Sequence, residues 1–473
     1  MVYLRQESLA GLKLYKYSGV DHSLTSKYIL KPFYNKIVLP CFPINMAPNL
    51  ITLSGFMFVI ANLLTLLWYN PTLDQDCPPW VYYSWAVGLF LYQTFDAVDG
   101  AQARRTHQSS PLGELFDHGV DALNTSLEVL LFAGSQNMGQ GWKTVATLFA
   151  SLTTFYVQTW EEYHTHTLTL GIVNGPVEGV LILVLVYSLT GYLGGASFWQ
   201  QPMLTTLGVP SKVINLFPTV MQDLNFTGWY MVQGAIVMVY NTAESARTVL
   251  RVWRKERKEA KMTEKPNTAD SRATNPLLGL LPFAVTWALV LAYLVLQPEI
   301  LHAHLVPFAF FVGLINAYSV GQMITAHVTH LPFPYYNVMV LPLAWGVVDS
   351  LGPLLKHYEP TIAMQVFGSS KPPAYFVLGW PSALGDGVYQ VAYMFCMLGM
   401  AIGVYGSFVV DVIVTICDYL DIWCLKIKHP YVEGAADKKE AMASNNGHAS
   451  VSNGLVSSAS VSDQPAITTH ERR

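Results

Sequence analysis

Residues 95–124 read FDAVDGAQARRTHQSSPLGELFDHGVDALN, with apolar runs on both sides. Asp96 and Asp99 are three residues apart, and Asp117 and Asp121 are four apart, so each pair shares one face of a helix. Ionisable side chains at membrane depth are costly, and a functional role is their default explanation. This stretch therefore predicts two membrane helices whose acidic faces meet.

The rest of the chain has the composition of a membrane protein. Of 473 residues, 52% are hydrophobic and only 12% are charged, against about 25% in an average soluble domain. The net charge of −4 predicts no nucleic-acid partner. We predict an all-α, polytopic integral membrane protein with ten transmembrane helices, at about residues 50–69, 80–98, 115–134, 142–160, 176–198, 226–247, 276–297, 303–325, 335–355 and 387–420.

The basic residues predict how the chain is organised around the membrane. Leu24 to Leu39 mixes lysines with aromatic and aliphatic residues, which is typical of an interfacial helix, although Pro32 limits its regularity. Arg104 and Arg105 follow the second span and a basic run follows the sixth, so both termini and the aspartates are expected in the cytosol. The predicted segments are 1–45 (cytosolic and interfacial), 46–250 (catalytic), 251–275 (basic cytosolic loop), 276–425 (four further helices) and 426–473 (disordered tail).

Four clustered carboxylates would repel one another unless cations bind between them. Hard divalent cations prefer oxygen ligands, so we predict a site for two Mg²⁺ or Mn²⁺ ions. Mg²⁺ commonly binds substrate phosphates as well, which predicts a phosphate-containing substrate. Gly100 and Ala103 leave the backbone open to a bulky ligand, as Gly113 does on the next helix, and Arg104 offers donors to phosphate oxygens.

The spacing Asp96-x-x-Asp99-Gly100-x-x-Ala103-Arg104-(x)8-Gly113-x-x-x-Asp117-x-x-x-Asp121 resembles the signature of the CDP-alcohol phosphatidyltransferase family. YKYSGVDHSLTSKY (15–28), APNLIT (47–52), WEEYHTHTLTLG (160–171) and NGPVEG (174–179) resemble its eukaryotic cholinephosphotransferase and ethanolaminephosphotransferase branch. The resemblance implies transfer of phosphocholine or phosphoethanolamine from CDP-choline or CDP-ethanolamine to diacylglycerol, with release of CMP. It also implies a homodimer in the endoplasmic reticulum or Golgi.

The resemblance further implies roles for individual residues. Asp96, Asp99, Asp117 and Asp121 would bind metal, Arg104 would face the diphosphate, and Asn49 would contact the nucleotide. For Asn49, a helix cap at the membrane interface is the alternative interpretation.

Two residues compete for the general base that takes the proton from the acceptor hydroxyl. His118 shares a helix sector with Asp117 and Asp121 and titrates nearer neutral pH, whereas a metal-bound Asp121 would be a weak base. His118 could instead only orient Asp117 or Asp121. Glu114 lies in the same sector and could hold the alcohol portion of the donor.

Acidic and aromatic residues of the WEEYHTHT segment suit an ammonium head group. Glu161, Glu162 and Tyr163 could therefore line the head-group entrance, or anchor the helix at the interface. Without a third nitrogen or sulfur ligand at suitable spacing, His164 and His166 do not favour zinc. His327 and His330 are expected at the interface rather than in the site.

Two other functions remain open from the sequence. Another CDP-alcohol enzyme, such as an inositol-phospholipid synthase, would share the aspartate signature. A transporter with an acidic cation site is the alternative of a different class, although such sites usually lie near the membrane midplane.

Overall fold

A computed structural model of the chain describes residues 3–13, 15, 18–171, 174–262, 275–367, 377–385 and 387–431. The predicted disordered tail beyond Tyr431 and residues 263–274 of the predicted basic loop lie outside these described residues. Residues up to Lys428 form one compact unit.

Within the described residues, ten long helices follow one another along the chain. Prolines begin four of them, in agreement with the preference for proline in the first helical turn, where its missing N–H costs nothing. The helices are α1 Pro48–Tyr69, α2 Pro79–Thr106, α3 Pro111–Ser135, α4 Trp142–Thr165, α5 Gly175–Tyr192, α6 Phe226–Met262, α7 Pro276–Leu296, α8 Leu305–Thr329, α9 Val340–Phe367 and α10 Val388–Leu420.

Five of these helices are long and apolar enough to cross a membrane: α1, α5, α7, α8 and α10. Each coincides with a predicted span. The helical bundle also exposes many large apolar side chains, among them Trp68 at 81% and Val410 at 62% exposure, as expected for surfaces that face lipid. The chain is therefore a helical integral membrane protein. That α2, α3, α4, α6 and α9 also cross stays a prediction.

Helix α3 lies at the centre of the bundle and positions the site. It packs against α1, α4 and α8, so the helices on both sides of the predicted basic loop contact it. Around this centre, α2 packs on α1 and α5, α4 on α6, and α8 on α10. Most residues of α3 after Val120 are buried, as expected for a helix enclosed on several sides.

A glycine permits the close approach of α8 to α3. A Cβ atom added to Gly313 would lie 2.4 Å from Ser126 Oγ and 2.7 Å from Ser126 Cβ. Small residues commonly allow such contacts between membrane helices. The approach leaves no room for any larger residue.

We therefore expect Gly313→Ala to destabilise the protein by about 1–3 kcal/mol, the usual cost of overpacking. Thermal unfolding in detergent measures this as a lower Tm. Gly399→Ala in α10 is the matched control, because nothing lies within 4 Å of its added Cβ. Equal melting temperatures for the two variants would contradict the close contact.

The segment before α1 is tied to the bundle by a small sheet and a hydrogen-bonded network. Two three-residue strands, β1 Gly19–Asp21 and β2 Leu168–Leu170, pair in parallel, the one departure from the predicted all-α fold among the described residues. Partial burial raises the pKa of Asp21, but hydrogen bonds from Ser26 and Lys31 outweigh this and lower it. Consecutive short helical turns then run from Ser26 to Cys41, where an interfacial helix is predicted.

The predicted basic loop begins as a helix. Helix α6 continues to Met262, well beyond the predicted end of its span at residue 247. Long charged side chains have high helix propensity, and Glu244 pairs with Arg247 at 3.3 Å and with Arg251 at 3.4 Å. Residues 251–262 of the predicted basic cytosolic loop are thus helical, and the cytosolic location of this segment stays a prediction.

Three acidic residues within or beside the predicted spans have hydrogen-bond partners that the sequence does not reveal. Glu178 accepts from Ser23 Oγ at 2.5 Å, and Asp411 accepts from the backbone N–H of Tyr3 at 2.8 Å. Asp349 accepts from Ser382, from the N–H of Ala383 and from Gln390. These contacts give all three acidic groups a structural explanation, so none is needed at the site.

Candidate active site

A tight connection between α2 and α3 brings the two acidic helix segments to one end of the bundle. Helix α2 ends at Thr106, the following His107 adopts the left-handed conformation, and α3 begins only a few residues later. Ser110 caps α3 by accepting a hydrogen bond from the N–H of Gly113, and Pro111 occupies the first helical position. The local sequence therefore dictates where the second acidic helix starts.

Three of the four aspartates form one cluster. Asp96 and Asp99 on α2 and Asp117 on α3 each offer a carboxylate oxygen, and these oxygens all lie within 4.8 Å of one another. Among the described residues, no lysine or arginine forms an ion pair with them. Three carboxylates so close together and without a basic partner repel one another strongly unless a cation binds.

The donor set fits a divalent cation. Asp96 Oδ1 and Asp117 Oδ1 are buried and have no hydrogen-bond partner. An orphaned, buried acceptor costs free energy, and two such oxygens facing one cluster are the ligands that hard cations prefer. The chain therefore has an acidic group able to bind a divalent metal.

Two hydroxyl groups that the sequence analysis did not single out orient the carboxylates. Thr52 Oγ1 donates to Asp99 Oδ2, and the Tyr92 hydroxyl donates to Asp121 Oδ1. Asp121 is thus separate from the cluster of three, with one oxygen occupied by Tyr92. Thr52 could have been noticed, because it ends the APNLIT segment that carries part of the family resemblance.

Because outer partners of metal ligands tune affinity, we expect Thr52→Val to weaken metal binding by about 10- to 100-fold. Titration of the purified protein with Mn²⁺, followed by electron paramagnetic resonance, measures the change. Ser54→Ala is the matched control, since Ser54 Oγ donates only to the Leu50 carbonyl of its own helix. Native Mn²⁺ affinity in Thr52→Val would contradict a metal-binding role for Asp99.

The predicted donor-binding residues surround the aspartates. Arg104 is exposed, and its Nη1 lies 3.5 Å from where a Cβ on Gly100 would be, while Ala103 is half-buried beside it. Across the connection, the nearest atom to an added Cβ on Gly113 is Asn49 Oδ1, at 3.9 Å. Only side-chain atoms at ordinary van der Waals distance therefore lie over the two glycines.

The alternative interpretation of Asn49 as a helix cap does not fit. The N-cap of α1 is Ala47, and no side chain caps that end. Asn49 is instead buried within α1, where its amide lies 3.8 Å from Cys424 Sγ, in the segment that follows α10. Its carbonyl oxygen is left to face Gly113.

A second polar cluster adjoins the first along α3. Nδ1 of His118 lies 3.7 Å from Glu162 on α4, and Nε2 of His327 on α8 lies 3.8 Å from Glu114. Ligand atoms of Glu114, Glu162 and His327 all lie within 4.8 Å of one another. His118 thus contacts Glu162 rather than either neighbouring aspartate.

His327 lies in the second cluster and not at the membrane interface, where the sequence predicts it. Its side chain is only 11% exposed and belongs to this second cluster, whereas His330 is exposed as expected. His330 caps the end of α8, while His327 lies one turn earlier on the face toward α3. The sequence does not show which of the two faces the bundle.

The WEEYHTHT residues separate into different surroundings. Glu162 is buried in the second cluster, while Glu161 is half-buried near Ser245 on α6. The Tyr163 hydroxyl donates to the Leu331 carbonyl at 2.8 Å, so it faces the loop after α8. His164 packs against Phe333 and His166 against His327; these two histidines do not share one metal group among the described residues.

A deep cavity of about 540 Å³ opens beside the aspartates. Asp96 and Asp121 lie on its wall, and the remainder is mainly apolar, with contributions from α2 to α6 that include Leu89, Val129, Phe149, Leu183, Tyr230 and Met238. An apolar cavity in contact with acidic metal ligands can hold a lipid and place its polar end near bound phosphate. The structure thus defines a helical membrane protein with a candidate metal site at the edge of a lipid-sized cavity.

Comparison with known proteins gives the family. A model of the CDP-alcohol phosphatidyltransferase family matches residues 45–209. Choline/ethanolaminephosphotransferase 1 of Saccharomyces cerevisiae is 38% identical over 426 residues, which cover 90% of this chain and 98% of that protein. Cholinephosphotransferase 1 of the same yeast is 36% identical over 428 residues, again 90% of this chain and 98% of the relative.

A plant relative matches a shorter part of the chain with higher sequence identity. Choline/ethanolaminephosphotransferase 2 of Arabidopsis thaliana is 48% identical over 202 residues, 43% of this chain and 51% of that protein. Together with the yeast proteins, which match along nearly their whole length, this similarity shows that the chain belongs to the CDP-alcohol phosphatidyltransferase family. The resemblance drawn from the sequence is therefore confirmed.

Proposed function

We propose that this protein transfers phosphocholine or phosphoethanolamine from CDP-choline or CDP-ethanolamine to diacylglycerol and releases CMP. The observation that carries this proposal is the cluster of Asp96, Asp99 and Asp117 at the edge of an apolar cavity, which suits a phosphate donor and a lipid acceptor together. The yeast and plant relatives named for these reactions support the choice of head group.

In this proposal the aspartates bind two Mg²⁺ or Mn²⁺ ions. Asp96, Asp99 and Asp117 supply oxygens from the cluster, and Asp121 supplies the oxygen that Tyr92 leaves free. When bound, the ions neutralise charge on the diphosphate and on the departing CMP. The carboxylates would position the anionic donor only through the ions that they hold.

The remaining donor contacts follow from the geometry. Arg104 extends over Gly100 at the exposed end of α2, where its guanidinium can pair with diphosphate oxygens. Ala103 and Gly113 keep the approach open, and the Asn49 carbonyl oxygen faces Gly113, within reach of a nucleotide amino group. Glu114 and Glu162 offer negative charge to the quaternary or primary ammonium of the alcohol, with Glu161 and Tyr163 further out.

Transfer needs a base for the acceptor hydroxyl. His118 has Nδ1 toward Glu162, so Nε2 is the nitrogen that accepts the proton as the hydroxyl oxygen attacks the β-phosphorus. The new P–O bond forms to the lipid, the bond from this phosphorus to the bridging oxygen breaks, and CMP leaves. In this arrangement Asp121 acts as a metal ligand rather than as the base.

The same proposal includes the membrane arrangement. All ten long helices cross the bilayer, the helical turns from Ser26 to Cys41 lie in its interface, and residues 46–250 form the catalytic part. The exposed basic residues at the end of α6 support a cytosolic face for the site. The protein then works as a homodimer in the endoplasmic reticulum or Golgi, with both termini in the cytosol.

An assay in mixed micelles tests the function directly. Purified protein, diacylglycerol and Mg²⁺ are incubated with CDP-choline, CDP-ethanolamine or CDP-diacylglycerol plus inositol, and labelled lipid and CMP are measured. We expect phosphatidylcholine or phosphatidylethanolamine with one CMP for each lipid. Product only from CDP-diacylglycerol and inositol would indicate an inositol-phospholipid synthase, and movement of substrate across vesicles without CMP release would indicate a transporter.

A further inference from the structure

One side of the cavity beside the aspartates carries a stripe of polar residues. Asp121, Asn124, Thr125 and Glu128 all belong to α3 and all line it. Their spacings of three and four residues place them on one face of the helix. The stripe leads from the candidate metal site into the apolar depth of the cavity, and Glu128 is its deepest acidic member.

Glu128 has a buried carboxyl group, and one of its two oxygens has no hydrogen-bond partner. The side chain is 8% exposed, and the Tyr187 hydroxyl donates to its Oε2 at 3.1 Å. Its Oε1 is buried without a hydrogen-bond partner, and no basic residue of the described chain pairs with this carboxyl. Burial without a cation favours the neutral carboxylic acid, which has an O–H to donate.

The depth of Glu128 suits the acceptor lipid. Seven residues separate it from Asp121, a rise of about 10.5 Å along the helix, and the longer side chain of a glutamate leans back toward the helix N-terminus. In diacylglycerol the ester carbonyls follow the free hydroxyl by a few bonds and precede the acyl chains. With the hydroxyl near Asp121, the carbonyls therefore lie on the side toward Glu128.

We propose that Glu128 donates a hydrogen bond to an ester carbonyl of the acceptor, and so makes the enzyme prefer diacylglycerols to their ether analogues. This inference rests on the proposed function. An ester carbonyl is an acceptor only, so its partner must be a donor. Gln93 lines the same cavity, but its amide nitrogen already donates to the carbonyls of Pro176 and Val177. Asn124, Gln158 and Asn241 also line the cavity with amide donors, but Glu128 is the member of the α3 stripe that lies furthest from Asp121, on the side of the ester carbonyls.

The test compares two acceptors that differ only in their carbonyls. A 1,2-diacylglycerol and a 1,2-dialkylglycerol of equal chain length share the hydroxyl, but the dialkyl lipid has ether links. We expect the native enzyme to show a KM for the dialkyl lipid, as mole fraction in the micelle, about fivefold higher, in keeping with the loss of one hydrogen bond. Glu128→Leu should raise the KM for the diacyl lipid to the dialkyl value.

The control variants separate recognition from packing. Glu128→Gln keeps an N–H donor and should keep the acceptor preference. Tyr187→Phe removes the donor to Oε2 only and should keep it as well. In every variant the KM for the CDP-alcohol should stay native, because Glu128 lies deep in the lipid cavity; a parallel rise there would indicate general damage and would overturn the inference.

Two results on active enzyme would also overturn it. One is a native enzyme that does not distinguish the two lipids, which can be observed even if Glu128→Leu fails to fold. The other is a Glu128→Leu variant that still distinguishes them. Failure of the proposed function would be seen separately, as a native protein that forms no phospholipid from CDP-choline or CDP-ethanolamine with either acceptor.

Discussion

Asp117→Asn is expected to lower the rate of phospholipid formation by about 10³-fold or more. Loss of this metal ligand also removes the cation charge that would stabilise the transferring phosphate. Asparagine keeps the size of the side chain and removes its negative charge. Mn²⁺ binding should weaken in parallel. In contrast, the metal-free variant should unfold at the native temperature or above, since one of three mutually repelling carboxylates is gone.

This combination of results distinguishes a metal ligand from a structural residue. A structural aspartate would lower stability and activity together, with metal affinity preserved. Asp74→Asn, on the exposed loop after α1, is the matched control and should match the native protein in all three measurements. Turnover by Asp117→Asn within tenfold of native would mean that Asp117 does not bind the ion.

His118→Ala is expected to lower turnover by about 10²- to 10⁴-fold, the usual contribution of a general base, while CDP-choline still binds. Single-turnover rates and equilibrium binding of the CDP-alcohol measure the two effects separately. His302→Ala, at an exposed position between α7 and α8, is the control and should be fully active.

His118→Gln distinguishes the base from an orienting residue. Glutamine retains a hydrogen bond but cannot take up a proton near neutral pH, so it should be as inactive as His118→Ala. Recovery of most activity with glutamine would show that His118 only holds its neighbours in place. Asp121 would then be the better candidate for the base.

The sequence predicts the helices well and their mutual contacts poorly. Runs of apolar residues mark α1, α5, α7, α8 and α10, because length and hydropathy are local properties. Helix α6 extends beyond its predicted span because lysine, arginine and glutamate also favour helix in water, where no apolar run marks it. Composition alone thus locates a span without locating the ends of its helix.

In the candidate site, too, the sequence predicts local features but not the contacts between distant segments. Four aspartates at helical spacing predict the cluster of Asp96, Asp99 and Asp117, since both pairs belong to adjacent helices. The partners Thr52 and His327 come from distant segments, and no local pattern specifies which helix faces meet. Such contacts follow only from packing in three dimensions, which is why His327 was expected at the interface.

The contacts of α8 with α3 bear on how this enzyme can be recombined with its relatives. Gly313 faces Ser126, and His327 faces Glu114, so the first half of the chain matches a specific surface in the second. A chimaera joined in the connection between α6 and α7 would have to exchange these residues in pairs. The two halves are therefore expected to have diverged together, each constraining substitutions in the other.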